Sequence, residues 1–332
     1  MPISKAAIAR EYRTKYGMDM PTRKLSRIMY NENNLTFKDI EDARIVLNKI
    51  EGKAGGAKCI KAAKNTGLYN PVRRSENPYN LPQSDETIYE PYIITGRRIL
   101  VLSDIHIPYH SVSALTAAFD WAKDKKVDTI LLNGDTIDAH KLSKYVTDPK
   151  KRDFAGELET FREFFTVLTD TFPKAKVIFK IGNHEERYNA FLAQKAGELS
   201  GVHEFSLENI IRARAQGIDF VTDKRIMKAG DLNIIHGHEF TGGSFSPVNI
   251  ARGLFLKAKV SAMQGHNHQT SEHTETDMNG RITTTWSVGC LSELHPMYMP
   301  LNKWNHGFAF VEVQDDGDFQ VQNKRIHKGE VL

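Results

Sequence analysis

The chain has 332 residues, 40% hydrophobic and 26% charged, a globular composition large enough for one main domain and a small one. No apolar run approaches the roughly 20 residues a membrane helix needs, and the two cysteines, Cys59 and Cys290, offer neither a disulfide framework nor a C-x-x-C metal pair. The net charge of +4 is uneven: residues 1–74 hold 16 Lys and Arg against 7 Asp and Glu, a balance of +9, and the rest hold 29 against 34, a balance of −5. A basic head on an acidic body points to an acidic partner, nucleic acid first, or else to a plain solvated face. Met1 to Arg13 lack the apolar core of a signal peptide, so a cytoplasmic protein without membrane contact is expected.

In chain order, residues 4–51 read as three short helices. Ser4 caps the first, Thr22 a second holding Leu25, Ile28 and Met29, and Thr36 a third in which Ile40, Ala43, Leu47 and Ile50 recur at helical spacing before Gly52. A basic helical domain over 1–52 has the size of a helix-turn-helix unit. Arg23, Lys24 and Arg27 on its second helix are the candidate phosphate contacts; a bundle that docks on protein is the alternative. Residues 53–96, with Gly55-Gly56 and prolines at 71, 78, 82 and 91, read as an irregular linker. Its basic pair Arg73-Arg74 is suited to tracking a backbone.

From residue 97 to 332 strands and helices alternate, the pattern of a layered α/β domain. Helices are expected over Ala114–Lys123, Phe154–Phe172 and most of Ala190–Gly217, and antiparallel strands from Ile282 onward. Five apolar runs end in chemistry-bearing residues. They lead into Asp104-Ile105-His106, Gly134-Asp135, Gly182-Asn183-His184-Glu185, His236-Gly237-His238 and Gly265-His266-Asn267-His268. Ligands of open α/β sheets sit beyond the carboxyl ends of strands, so the five ends describe one site. Alternate residues of an extended segment face the same way, which would aim Asp104 with His106 and His266 with His268.

The set Asp104, His106, Asp135, Asn183, His236, His266 and His268 combines carboxylate, imidazole and one amide. Such donors suit manganese, iron, zinc or nickel better than calcium or magnesium, which prefer oxygen. Seven ligands are too many for one ion and fit two that share a bridge.

These motifs, in this order, resemble the calcineurin-like metallophosphoesterases over roughly residues 97–325. The Asp138-x-His140 and Trp304 neighbourhoods look most like the bacteriophage-encoded members, which would place the protein in a host cytoplasm. The resemblance implies a four-layer α/β/β/α sandwich and two divalent or trivalent metals, manganese foremost. It implies that Asp104, His106 and His268 hold one metal, that Asn183, His236 and His266 hold the other, and that Asp135 bridges them. A metal-bridging water or hydroxide would attack the phosphoester, and His184 would serve as general acid or transition-state stabiliser. Glu185 is read either as the partner of His184 or as a helix cap. His110, Asp138, His140 and His238 are candidate substrate contacts, as is Arg187 unless it forms a helix-surface ion pair. The expected reaction is hydrolysis of a phosphodiester, nucleic acid included. The rivals are a phosphomonoesterase acting on a protein, nucleotide or small molecule, and a nucleic-acid-binding protein on a non-catalytic scaffold.

Overall fold

The computed structural model describes residues 4–54, 56–69, 82, 84–144, 153–222, 224–240 and 248–332. The chain divides into two compact units, Met1–Glu86 and Thr87–Leu332. The boundary falls inside the segment expected to be a linker. That segment contains a helix, and its end contributes a strand to the second unit. Arg73-Arg74 lies outside the described residues.

The first unit contains α1 (Lys5–Tyr16), α2 (Thr22–Glu32), α3 (Ile40–Ile50) and α4 (Ala57–Asn65). The first three bury Ile8, Ala9, Tyr12, Leu25, Met29, Ala43 and Leu47 around Phe37. Ser4 caps α1 as expected, its side chain accepting from the N–H of Ala7. The other two caps differ. Pro21 precedes α2, and Thr22 Oγ1 instead donates to Glu51; Asp39, not Thr36, caps α3 by accepting from Asp42. Inside the bundle Arg13 and Glu51 form a buried ion pair. Arg13 also donates to the carbonyls of Gly17 and Met20 at 3.0 and 2.7 Å, which supplies the extra hydrogen bonds a buried charge needs. Arg23, Lys24 and Arg27 are exposed on α2.

The second unit runs β1 (Tyr92–Ile93), β2 (Arg98–Leu102), α5 (Val112–Lys123), β3 (Thr129–Asn133), α6 (Phe154–Thr171), β4 (Lys176–Lys180), α7 (Asn183–Lys195), α8 (Leu207–Ile210) and β5 (Ile218–Val221). It continues through β6 (Met227–Ala229), β7 (Leu232–Ile234), α9 (Ile250–Ala258), β8 (Ala262–Gln264), β9 (Ser271–Thr276), β10 (Ile282–Ser287), β11 (His306–Val313), β12 (Phe319–His327) and β13 (Glu330–Val331). One sheet has the order β13-β12-β11-β2-β3-β4-β5, the other β1-β6-β7-β8-β10-β9. Strands β2 to β5 are parallel, and β11 to β13 add antiparallel neighbours.

Strand side chains alternate between faces, and the sequence uses that period to build two cores. Leu100, Leu102, Ile130, Leu132, Val177 and Phe179 pack toward Phe119, Phe161 and Phe165 of α5 and α6. Their neighbours Ile99, Val101, Leu131 and Ile178 face Met227, Ile234, Met263 and Trp286 of the other sheet. Leu254 of α9 packs on Ala262 from the far side. The result is helix, sheet, sheet and helix in four layers, as expected.

The expected helix over Ala190–Gly217 is corrected. It begins at Asn183 and ends at Lys195, after which come short turns and the single-turn α8. The N–H of Gly182 donates to Glu185 Oε2 at 2.8 Å, a local cap that starts the helix at the end of β4.

Candidate metal centre

Strands β2, β3, β4, β7 and β8 end at one place and deliver all seven expected ligands there. After β2, Ser103 Oγ and the N–H of His266 both donate to Asp104 Oδ2, at 2.6 and 2.8 Å. This turns Oδ1 toward His268 Nε2 at 3.2 Å. His106 Nε2 also lies 3.2 Å from His268 Nε2. After β3, Asp135 Oδ1 accepts the N–H of His184 at 2.9 Å. Its Oδ2 is 3.3 Å from His236 Nε2 and 4.0 Å from His106 Nε2. After β7, His236 sits with Nδ1 2.8 Å from the carbonyl of Asn133, which leaves Nε2 facing Asn183 Oδ1 at 3.2 Å.

Donor atoms of Asp104, His106 and His268 lie within 4.8 Å of one another, as do those of Asp135, His236 and His266. Asp135 also groups with His106 and His184, so its carboxylate stands between the two clusters.

The Asp-x-His and His-x-His pairs do not converge by strand alternation. Asp104, His106, Asp135, His266 and His268 have φ of 56°, 52°, 51°, 65° and 58°, the left-handed region that side chains other than glycine seldom adopt. Strain of this kind is kept where the surroundings hold it for function.

The donor set fits a pair of cations. Asp104 Oδ1 is buried without a hydrogen-bond donor, and the Nδ1 atoms of His266 and His268 are likewise buried without partners. His106 Nε2 and His268 Nε2 face each other at 3.2 Å and converge on one point beside Asp104 Oδ1. Burial drives His236 toward neutrality, but Asp135 and then Asp104 outweigh it and push its pKa up to about 10, the mark of negative potential at this spot. His266, beside that imidazole and buried, falls to about 4.

Around the ligands the carboxylate of Asp138 does more than a substrate contact would. Its Oδ1 is 2.9 Å from His106 Nδ1 and 3.0 Å from His184 Nδ1. Burial pushes Asp138 up, yet the two imidazoles hold it far below the usual carboxylate range. Asp138, not Glu185, is therefore the partner of His184. Arg187 donates to the Asp138 carbonyl at 2.9 Å and lies 2.8 Å from His184 Nε2, rather than forming a surface ion pair. His140 Nδ1 is 3.7 Å from Asp138. His238 pairs with Glu186 at 3.0 Å, behind His236. His110 is not brought to the site; it lines an apolar groove with Val112, Phe119 and Phe164.

Two supports escape a reading by motif. Glu185 is buried and accepts the backbone N–H groups of Asp135, Thr136 and Ile137 at 3.0, 2.8 and 2.9 Å. Lys180 is fully buried and pairs with Glu239 at 2.9 Å. Glu239 in turn accepts from the N–H groups of His236 and Gly237 at 3.0 and 2.6 Å. The Gly182-to-Glu185 spacing signalled the first; an apolar strand ending in a lysine was the faint signal for the second.

A four-layer α/β sandwich with a paired carboxylate–imidazole cluster at its strand ends has the architecture of the metallophosphoesterases. The calcineurin-like phosphoesterase family model matches residues 97–277, and the chain belongs to that family. It is 25% identical over 233 residues to the Gene 54 protein of Mycobacterium phage L5, a match covering 66% of this chain and 89% of that protein. Among solved structures it is similar to vacuolar protein sorting 29 from Cryptosporidium parvum, at 12% identity with a TM-score of 0.37, over 71% of this chain and 95% of that one. Chaetomium thermophilum Vps29 matches at 12% identity and a TM-score of 0.31, over 69% and 95%. No helix among the described residues is long and apolar enough to cross a membrane.

Proposed function

We propose that the protein is a dinuclear metal-dependent phosphodiesterase. The observation that carries this is Asp135, whose Oδ2 faces imidazoles of both ligand clusters. Asp104, His106 and His268 would hold one metal, Asn183, His236 and His266 the other, with Asp135 shared. Manganese is the first candidate, then iron, zinc or nickel. When bound, the pair supplies positive charge for the phosphoryl oxygens and lowers the pKa of water from about 15.7 toward 7.

The chain's own residues prepare the rest. Asp138 takes up His184 Nδ1 at 3.0 Å and Arg187 lies 2.8 Å from Nε2, which together fix the ring; for Nε2 to meet the leaving oxygen, Arg187 must turn from it toward the phosphoryl group. Nε2 is 3.8 Å from Asp135 Oδ2, at the edge of the centre. His184 is assigned as general acid or transition-state stabiliser. A diester is favoured over a monoester because exposed Arg23, Lys24 and Arg27 on α2 suit a phosphate backbone.

The test is turnover of bis-p-nitrophenyl phosphate against p-nitrophenyl phosphate by the full chain with added manganese. Diester turnover should dominate, and His184→Gln should lower it about 10²–10⁴-fold, the usual worth of a positioned proton donor. An Asp135→Ala protein that folds and still turns over the diester would reject the dinuclear reading. Glutamate at positions 23 and 27 should weaken DNA binding if α2 contacts a backbone.

A further inference from the structure

We propose that the groove along α7 is the track for a single-stranded polynucleotide whose scissile phosphate lies at the metal centre; this rests on the phosphodiesterase reading above. Asn183, Arg187, Phe191 and Lys195 recur every four residues, so they form one stripe down a helix face. From Asn183 to Lys195 that stripe spans about 18 Å at ~1.5 Å per residue. Facing it, Lys141 and Lys144 follow β3, and the groove between them has a volume of about 650 Å³.

Its lining decides what it takes. Among the described residues that line it, the charged ones are Arg187, Lys195, Lys141 and Lys144, all basic. A repeating polyanion is attracted by such a row, each contact releasing a counterion. Phe191 is 39% exposed among these cations. An apolar ring on a basic floor has no use for an acidic peptide or a lone phosphate, but it offers a face on which a base can stack. Bases reach such a ring only when unpaired, which selects a single strand over a duplex. At the centre itself, Tyr298 and Trp304 line a second cleft with His106, His268, Asp138 and Glu293, and the Trp304 ring lies 4.2 Å from that of His268. A nucleotide next to the scissile phosphate can thus meet an aromatic surface. The groove holds roughly five nucleotides at the ~3.4 Å per-strand spacing of stacked bases.

The test uses the full chain with manganese and labelled oligothymidylates of increasing length, with bis-p-nitrophenyl phosphate turnover as the reference for phosphoesterase activity. Hydrolysis of the oligomers, as kcat/KM, should climb with length to roughly five or six nucleotides and then level off. Phe191→Ala, and Lys144→Gln with Lys195→Gln, should each raise KM for the longer oligomers about tenfold, since a stacked base is worth about 1–3 kcal/mol. Fluorescence anisotropy should show the slope of log affinity against log salt falling by about 0.7 per lysine removed. Turnover of the small diester with no dependence on oligomer length would overturn the track and leave the phosphodiesterase reading intact. Tighter binding of a phosphoserine peptide than of oligothymidylate would also overturn it. If the wild-type protein hydrolyses no ester, the anisotropy series alone decides: affinity unchanged by the groove substitutions overturns the track.

Discussion

The carboxylate of Glu185 holds Asp135 by its backbone rather than by its side chain. Oε2 accepts the N–H of Asp135 at 3.0 Å and that of Gly182 at 2.8 Å, while Oε1 takes those of Thr136 and Ile137. One buried group therefore joins the turn after β3 to the start of α7, the two segments that carry Asp135 and Asn183. Glu185→Gln replaces an acceptor oxygen with an amide that faces N–H groups. Losing two bonds to a charged acceptor, at roughly 1.5–3 kcal/mol each, should cost about 3 kcal/mol or more. Metal affinity should fall about 10–100-fold, as when other outer supports of a metal site are removed. Urea unfolding and a manganese titration check both, and a variant matching wild type in each would refute the role.

The same junction leaves no room at Gly182. A Cβ there would lie 2.3 Å from Asp135 Oδ1 and 2.5 Å from its backbone nitrogen, closer than any real contact. Gly182→Ala should displace the shared carboxylate, lowering manganese affinity about 10–100-fold. The overpacking itself should cost about 1–3 kcal/mol. Calorimetric titration of the metal decides it; full affinity in the alanine variant would mean the turn relaxes without moving Asp135.

The periodic parts of this fold were legible in the sequence. Continuous apolar runs marked β2, β3 and β4, and the Asp, Asn and His residues beyond five strands marked the site, because both follow local rules. The convergence of Asp104 with His106 was reached for the wrong reason, since backbone φ of 56° and 52° is invisible to a period-2 argument. The caps of α2 and α3 went astray because Thr22 and Thr36 each compete with a neighbour, and tertiary partners such as Glu51 settle the choice. Partners far apart in sequence, Asp138 with His184 and Lys180 with Glu239, have no local pattern at all.

Lys180 illustrates that last class. Its ammonium is buried between Glu239 at 2.9 Å and the carbonyl of Arg225 at 2.9 Å. Burial pushes Glu239 up, but Lys180 and the Gly237 N–H hold its pKa at about 2. Lys180→Met strands a buried carboxylate and should destabilise the protein by about 3–5 kcal/mol. The double variant Lys180→Met, Glu239→Gln should recover part of that loss, because no unpaired charge remains. A thermodynamic cycle from chemical denaturation measures the coupling, and additive losses would show the pair to be incidental.

Glu157 on α6 sets a pH dependence away from the ligands. Its Oε1 accepts the N–H of His140 at 3.1 Å, and Oε2 is buried without a partner. Burial, and secondarily the Asp138 carboxylate, push its pKa from an ordinary 4.5 to about 7. The folded state then holds the proton more tightly than the unfolded chain. The stability this gives is complete below about pH 4.5 and is lost as pH rises through about 7. At about 1.36 kcal/mol per pKa unit the total is about 3 kcal/mol. Glu157→Gln mimics the protonated form at every pH, so wild type and variant should match near pH 4.5. The variant should be more stable by about 3 kcal/mol at pH 8 and above. Taking the difference between the two proteins in urea melts cancels the titration of the remaining carboxylates and imidazoles. A difference that stays flat from acid to alkaline pH would mean that Glu157 is ionised in its niche throughout.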